Sequence, residues 1–129
     1  MIYSFCNFEL AMLNKKVKIG VIGVGHLGQH HVKHLKNIKN INLIGVFDIN
    51  FKQASKIASA YKTKAFKSMS TLIEEADALS IVTPTDTHAK IAKRCLTLNK
   101  HIFIEKPITD TLDEADKIVT MADKKNLIV

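Results

Sequence analysis

The chain has 129 residues, enough for one domain with a real core, and 47% of them are apolar against 24% charged, the balance of an ordinary globular protein. The formal net charge is +7, but the lysines are spread over many segments with no aromatic residues interleaved, which argues against nucleic acid and for a phosphate-bearing small molecule. No apolar run approaches the length of a membrane span, and Cys6 and Cys95 form neither a C-x-x-C pair nor a disulfide framework, so no membrane partner is expected and the location expected is the reducing cytoplasm.

Residues Met1 to Leu10 are aromatic and apolar, contain Glu9 and lack a basic n-region, so they do not make a signal peptide. Met12-Leu13-Asn14-Lys15-Lys16, leading into an apolar run, has the look of a natural start. Residues 1–14 are therefore expected to be an extension, a loose tail or the product of an upstream start, with the domain at 15–129. Val17 to Ile22 reads as a buried strand that opens into Gly23-Val24-Gly25-His26-Leu27-Gly28. Leu27, His31, Leu35 and Ile38 then recur at helical spacing. Ile41 to Phe47 is a second β-branched run, ended by Asp48. Asn50 can cap a helix to Tyr61, with Gln53 completing a capping box.

Further on, Lys64-Ala65-Phe66 is a short third strand, Thr71 to Ala76 a short helix, and Ala78 to Val82 a fourth strand. Thr83 to Thr87 is a loop in which Pro84 stops that strand. His88 to Leu98 is helical, with apolar positions 88, 91, 92, 95 and 98 and Cys95 as a small core residue. His101 to Ile104 is a fifth strand, broken by Glu105-Lys106-Pro107. Thr111 and Glu114 open a helix whose inner face is Leu112, Ala115, Ile118, Val119 and Ala122. Leu127-Ile128-Val129 begins a sixth strand, and there the chain stops.

Strands alternating with helices imply an α/β fold: a doubly wound parallel sheet, helices on both faces, with ligands at the carboxyl ends of the strands. The residues with chemistry fall at those ends. Gly23 allows a tight turn, Gly25 lets the backbone approach a pyrophosphate, and Gly28 lets the helix pack closely. The helix N-terminus at His26 and Leu27 offers unpaired N–H groups to phosphates. Asp48 lies about 20 residues beyond Gly28, where a dinucleotide-binding unit places its ribose-binding acid. Its carboxylate would repel a 2′-phosphate, and no arginine follows it before Lys52, so the expected cofactor is NAD in preference to NADP.

A lysine at a strand end beside a nicotinamide can stabilise a developing alkoxide during hydride transfer, which makes Lys106 the candidate catalytic group. Taken without the glycine turn, it reads better as a solvated lysine at a strand end with Glu105 as its surface partner. His26, His30 and His34 are spaced along one helix as metal ligands can be, but there is no H-E-x-x-H pattern, so a polar helix face and no metal are expected. His31 falls on the sheet-facing stripe and reads as a packed core histidine. No serine or cysteine nucleophile has a convincing base partner.

Glu105-Lys106-Pro107 after a short strand resembles the most specific local mark of the glucose–fructose oxidoreductase and inositol dehydrogenase family, Gfo/Idh/MocA. The glycine turn with His31, Val82-Thr83-Pro84-Thr85 with His88, and the run from Glu105 to Ala115 continue the likeness over residues 17–129. The resemblance implies hydride transfer between NAD and a hydroxyl carbon of a sugar, cyclitol or nucleotide-sugar. It implies that Lys106 handles the substrate hydroxyl, that Glu105 lies near the nicotinamide ribose, and that Pro107 fixes the loop through a cis bond. It implies that Thr83, Pro84, Thr85 and His88 line the cofactor's path. Family enzymes also carry a second domain, with most of the substrate pocket and the homo-oligomer contacts. None of that domain is in this sequence, so a truncated chain inactive alone is expected. A non-catalytic dinucleotide-binding module, or a different Rossmann dehydrogenase, are the alternatives.

Overall fold

A computed structural model describes residues 15–129; the expectation for residues 1–14 lies outside the described residues. Four strands, β1 (Val17–Ile22), β2 (Ile41–Phe47), β3 (Ala78–Ile81) and β4 (His101–Ile104), form a parallel sheet in the order β2-β1-β3-β4. The helices are α1 (His26–Lys36), α2 (Phe51–Ala60), α3 (Met69–Glu75), α4 (Thr85–Thr97) and α5 (Leu112–Lys124). Among the described residues no helix is long and apolar enough to cross a membrane.

The strands alternate between two apolar layers because successive side chains point to opposite faces. Val21 packs with Val32 of α1 and with Ala54, Ile57 and Ala58 of α2. Its neighbour Ile22 packs in the other layer, with Leu79, Ile81 and Ile102 and with Leu72, Ile73, Ile91, Ala92, Cys95 and Leu96 of α3 and α4. In β3 the same alternation turns Ser80 away from the layer that holds Leu79 and Ile81, toward α1. The register between β1 and β2 shifts at Ile19/Gly20, one extra residue in β2, which brings Leu43 and Val46 to the same layer although three positions separate them.

Several elements differ from expectation. Lys64-Ala65-Phe66 is a single bridge, with Val46 N–H donating to Lys64 O and Phe66 N–H to Val46 O, both at 2.8 Å. Lys62, in the left-handed region at φ 51°, turns the chain just before it, and α3 begins soon after, so only these residues run beside β2. Leu127-Ile128-Val129 is not a strand. Ile102 N–H donates to Ile128 O at 3.0 Å, but Ile128 N–H donates to the His101 Nδ1 side chain, which takes the partner a ladder would need. The α4 helix starts at Thr85, with Asp86 in its first turn at the positive end of the helix dipole, so part of the expected loop is helical.

The inner stripes also shift. On α1, Gly28 and Val32 are buried while Leu27 is exposed, as is Ile38 beyond the helix end; on α4, Leu96 is buried in place of Leu98, which follows the helix; on α5, Ile118 and Ala122 are buried while Leu112 and Val119 are exposed. The box at Asn50 is half made. Asn50 Oδ1 accepts from Gln53 N–H at 3.3 Å, but the Gln53 amide donates to Val24 O at 3.0 Å and ties α2 to the glycine turn.

Candidate cofactor site

The carboxyl ends of the four strands open into one cavity of about 900 Å³. Gly23, Gly25, His26 and Leu27 form its floor, Asp48 lies beyond β2, Thr83, Pro84 and Thr85 follow β3, and Glu105 and Lys106 follow β4. The sheet order puts Asp48 and Lys106 at opposite ends, three strand spacings or about 14 Å apart. That span suits a molecule with a sugar at each end and phosphates between.

The glycine turn is built for close approach. Gly23 sits at φ +91°, where other residues are strained, and a Cβ there would strike Val82 O. A Cβ on Gly28 would strike Gly23 O, so this glycine is what lets α1 start against the turn. Gly25 is different. A Cβ there would meet nothing within 4 Å, because the space above it is the cavity itself. Gly25 is also the N-cap of α1 and makes no side-chain cap, so the first-turn N–H groups face that space.

The half-buried Asp48 braces the turn. Its Oδ2 accepts Val24 N–H at 2.9 Å and its Oδ1 accepts Asn50 N–H at 2.8 Å. Each oxygen keeps a lone pair for a ligand hydroxyl. On the β3 side, Thr83 and Thr87 hydroxyls are 2.6 Å apart and Thr87 Oγ1 donates to Pro84 O at 2.7 Å, which fixes the loop at the mouth of α4.

At the far end Lys106 is exposed, and among the described residues its Nζ makes no hydrogen bond or ion pair. The Lys106–Pro107 bond is cis. Glu105 Oε2 accepts Lys106 N–H at 3.1 Å, and Oε1 lies 2.8 Å from His31 Nε2. The hydrogen bond from His31, then that from Lys106 N–H, hold the Glu105 carboxyl below its ordinary value.

One expected lining residue stands behind the cavity instead. His88 is 1% exposed; its Nε2 lies 2.7 Å from Thr83 O and its Nδ1 3.0 Å from Pro107 O, so it links the two loops that the cavity touches. A neutral ring can donate to one of these carbonyls, and only an imidazolium to both. Pro107 is exposed outside the cavity. Among the described residues no group of three or more His, Cys, Asp or Glu could hold a metal ion.

The residues fit a dinucleotide: an open space over Gly25, a helix N-terminus for phosphates, a carboxylate at one end and a free ammonium at the other. Residues 17–129 match the profile of the GFO_IDH_MocA oxidoreductase family, NAD-binding Rossmann fold. The chain belongs to the Gfo/Idh/MocA family. It is 42% identical over 113 residues to UDP-N-acetylglucosamine 3-dehydrogenase of Acidithiobacillus ferrooxidans, covering 88% of this chain and 36% of that protein. It is 34% identical to glucose-6-phosphate 3-dehydrogenase of Bacillus subtilis, covering 83% and 31%. A solved structure of the Acidithiobacillus enzyme superposes with a TM-score of 0.83 at 40% identity, over 88% of this chain and 37% of that one. The chain thus spans about a third of the length of the relatives it matches.

Within this family member, sequence reasoning placed His31 as a packed histidine but missed the groups it joins, Ser80 and Glu105. Ser80 Oγ lies 2.9 Å from His31 Nδ1, with Glu105 behind the ring. The order is that of a hydrolytic relay, but Ser80 is 3% exposed in the middle of a strand and offers its hydroxyl only as a hydrogen-bond partner. The signal available was the alternation of β3, which singles out one polar residue facing α1.

Proposed function

We propose that residues 15–129 are the dinucleotide-binding domain of a dehydrogenase that moves a hydride between NAD and a hydroxyl-bearing carbon of a sugar, cyclitol or nucleotide-sugar. The observation that carries this reading is one cavity lined by the glycine turn, Asp48, Glu105 and Lys106. The sugar dehydrogenases among its relatives support the substrate class.

A bound nicotinamide supplies the hydride acceptor. The chain's own residues do the rest. The α1 N-terminus and Gly25 hold the phosphates, and Asp48 accepts the adenosine ribose hydroxyls and disfavours a 2′-phosphate. Thr83, Pro84 and Thr85 border the passage toward Lys106. Glu105 accepts from the second ribose, and the exposed Lys106 Nζ donates to the substrate oxygen and stabilises its developing charge, the hydroxyl proton passing to solvent as the hydride leaves the carbon. Substrate choice and assembly into homo-oligomers belong to regions of family enzymes that these residues do not include.

Titration with NADH, followed by nicotinamide fluorescence, tests the reading. Saturable binding that Gly25→Val weakens supports it. A folded chain that binds neither NADH nor NADPH overturns it.

A further inference from the structure

His31 and Glu105 are 74 residues apart in sequence, yet Nε2 and Oε1 are 2.8 Å apart, with side chains only 17% and 21% exposed. The other ring nitrogen lies 2.9 Å from Ser80 Oγ. The ring also packs against Phe103 of β4, centroids 5.7 Å apart. An ionised carboxylate only accepts, so Nε2 carries the hydrogen and donates to Glu105. In the neutral ring Nδ1 then accepts from the Ser80 hydroxyl. When the ring is protonated, that hydroxyl rotates and accepts instead. The chain Ser80–His31–Glu105 is therefore complete in both protonation states. Three elements meet in it: β3, the end of β4, and α1, whose first turn faces the phosphate end of the cavity.

We propose that His31 is a positioning residue of the cofactor site, holding the Glu105 carboxylate in place beside Lys106 and coupling it to the helix that receives the phosphates. This role rests on the cofactor reading given above. Glu105 has two oxygens and two anchors, His31 and Lys106 N–H. Without His31 the remaining anchor is the backbone of the next residue, and the carboxylate is free to change rotamer. Ser80, buried on the face toward α1, would at the same time lose its partner. Its hydroxyl is the reason that an apolar substitute at 31 affects more than the carboxylate.

The test uses His31→Leu and His31→Gln, each alone and with Glu105→Gln, with thermal melting to establish folding and calorimetry to measure NADH affinity. Losing a hydrogen bond to a charged group predicts that His31→Leu weakens NADH about tenfold. The His31→Gln amide can still donate to Glu105 and should retain most of the affinity. In the Glu105→Gln background His31→Leu should have little further effect on NADH affinity, because the group it positions is already changed, and the unpaired Ser80 hydroxyl should register in the melting temperature instead. Equal loss in both backgrounds, or no loss in a folded His31→Leu chain, overturns the proposal.

Imidazole nitrogen NMR on the unsubstituted chain gives a readout independent of whether His31→Leu folds. The neutral ring should be the Nε2–H tautomer, and its signals should move on adding NADH and in Glu105→Gln. An Nδ1–H tautomer, or signals blind to Glu105→Gln, overturns the proposal as well. Failure of the unsubstituted chain to bind NADH overturns the cofactor reading itself, and this role with it.

Discussion

Replacing Asp48 with serine separates two tasks that one carboxylate performs. Its oxygens already accept Val24 N–H and Asn50 N–H, at 2.9 and 2.8 Å, so the side chain braces the glycine turn before any ligand arrives. Hydrogen bonds to charged groups contribute about 1.5–3 kcal/mol each; water takes over the exposed Asn50 N–H but not that of the buried Val24, so the substitution should cost about 1.5–3 kcal/mol in stability. For a domain of this size, at about 4 °C per kcal/mol, that is a fall of about 6–12 °C in melting temperature, with no cofactor present. The second task is ligand discrimination. Losing the acceptor for the ribose hydroxyls should weaken NAD about 10- to 100-fold. NADP should tighten, because the repulsion of its 2′-phosphate is removed. Calorimetric titration of each cofactor, with scanning calorimetry of the free chains, resolves the two tasks. Equal affinity of the unsubstituted chain for both cofactors, or a preference for NADP, refutes the role of Asp48 in choosing NAD. A lowered melting temperature with an unchanged NAD to NADP ratio shows the carboxylate to be a brace alone.

Gly28→Ala should destabilise the fold by about 1–3 kcal/mol, since its methyl strikes Gly23 O; Gly25→Ala, with open space around its Cβ, should change the melting temperature less than Gly28→Ala does and act on cofactor affinity. Burial pushes the Cys95 thiol up to about 12 from 9.0, so the folded chain keeps a proton that the unfolded chain loses, and stability should fall as pH rises from the lower value to the higher. In a Cys6→Ser chain a thiol reagent at neutral pH should label Cys95 only after denaturant is added, and rapid labelling of the folded chain would contradict its burial. The Glu105 carboxyl is held below its ordinary 4.5, first by His31 and then by Lys106 N–H. Its contribution is present above that value and lost as pH falls through the lower, folded one, so Glu105→Gln should flatten the acid limb of a urea-unfolding pH series.

Much of this architecture was legible because local rules and the fold agree. The β1 run, the glycine turn and Asp48 follow one another within a single βαβ unit, and each has a reason that involves only its neighbours. The elements that shifted are those settled by contacts from elsewhere. Lys64 to Phe66 has strand composition, but the bend at Lys62 and the start of α3 leave room for one bridge. Leu27 is apolar at helical spacing, yet it faces the cavity because Gly28 is the residue that must meet the turn. A period identifies a helix; which side of it turns inward depends on where the sheet allows the closest approach.

His31 shows the same limit at the site itself. Its place on a sheet-facing stripe reads as a buried histidine, and the structure agrees in part, since the ring is mostly covered. What the stripe cannot carry is the identity of the groups that cover it. Spacing along α1 says nothing about Glu105, because the two meet only when β4 is laid beside β3 and β3 beside β1. The sheet order converts four distant strand ends into one shelf, and a polar residue facing inward below that shelf has to find its partners among whatever the neighbouring strands present. Ser80 is the one polar side chain β3 turns toward α1, and Glu105 is the first carboxylate beyond β4. Given the strand order alone, a histidine on the inner face of α1 between these two is confined to bridging them or leaving a buried hydroxyl unpaired, and the second is the costlier state.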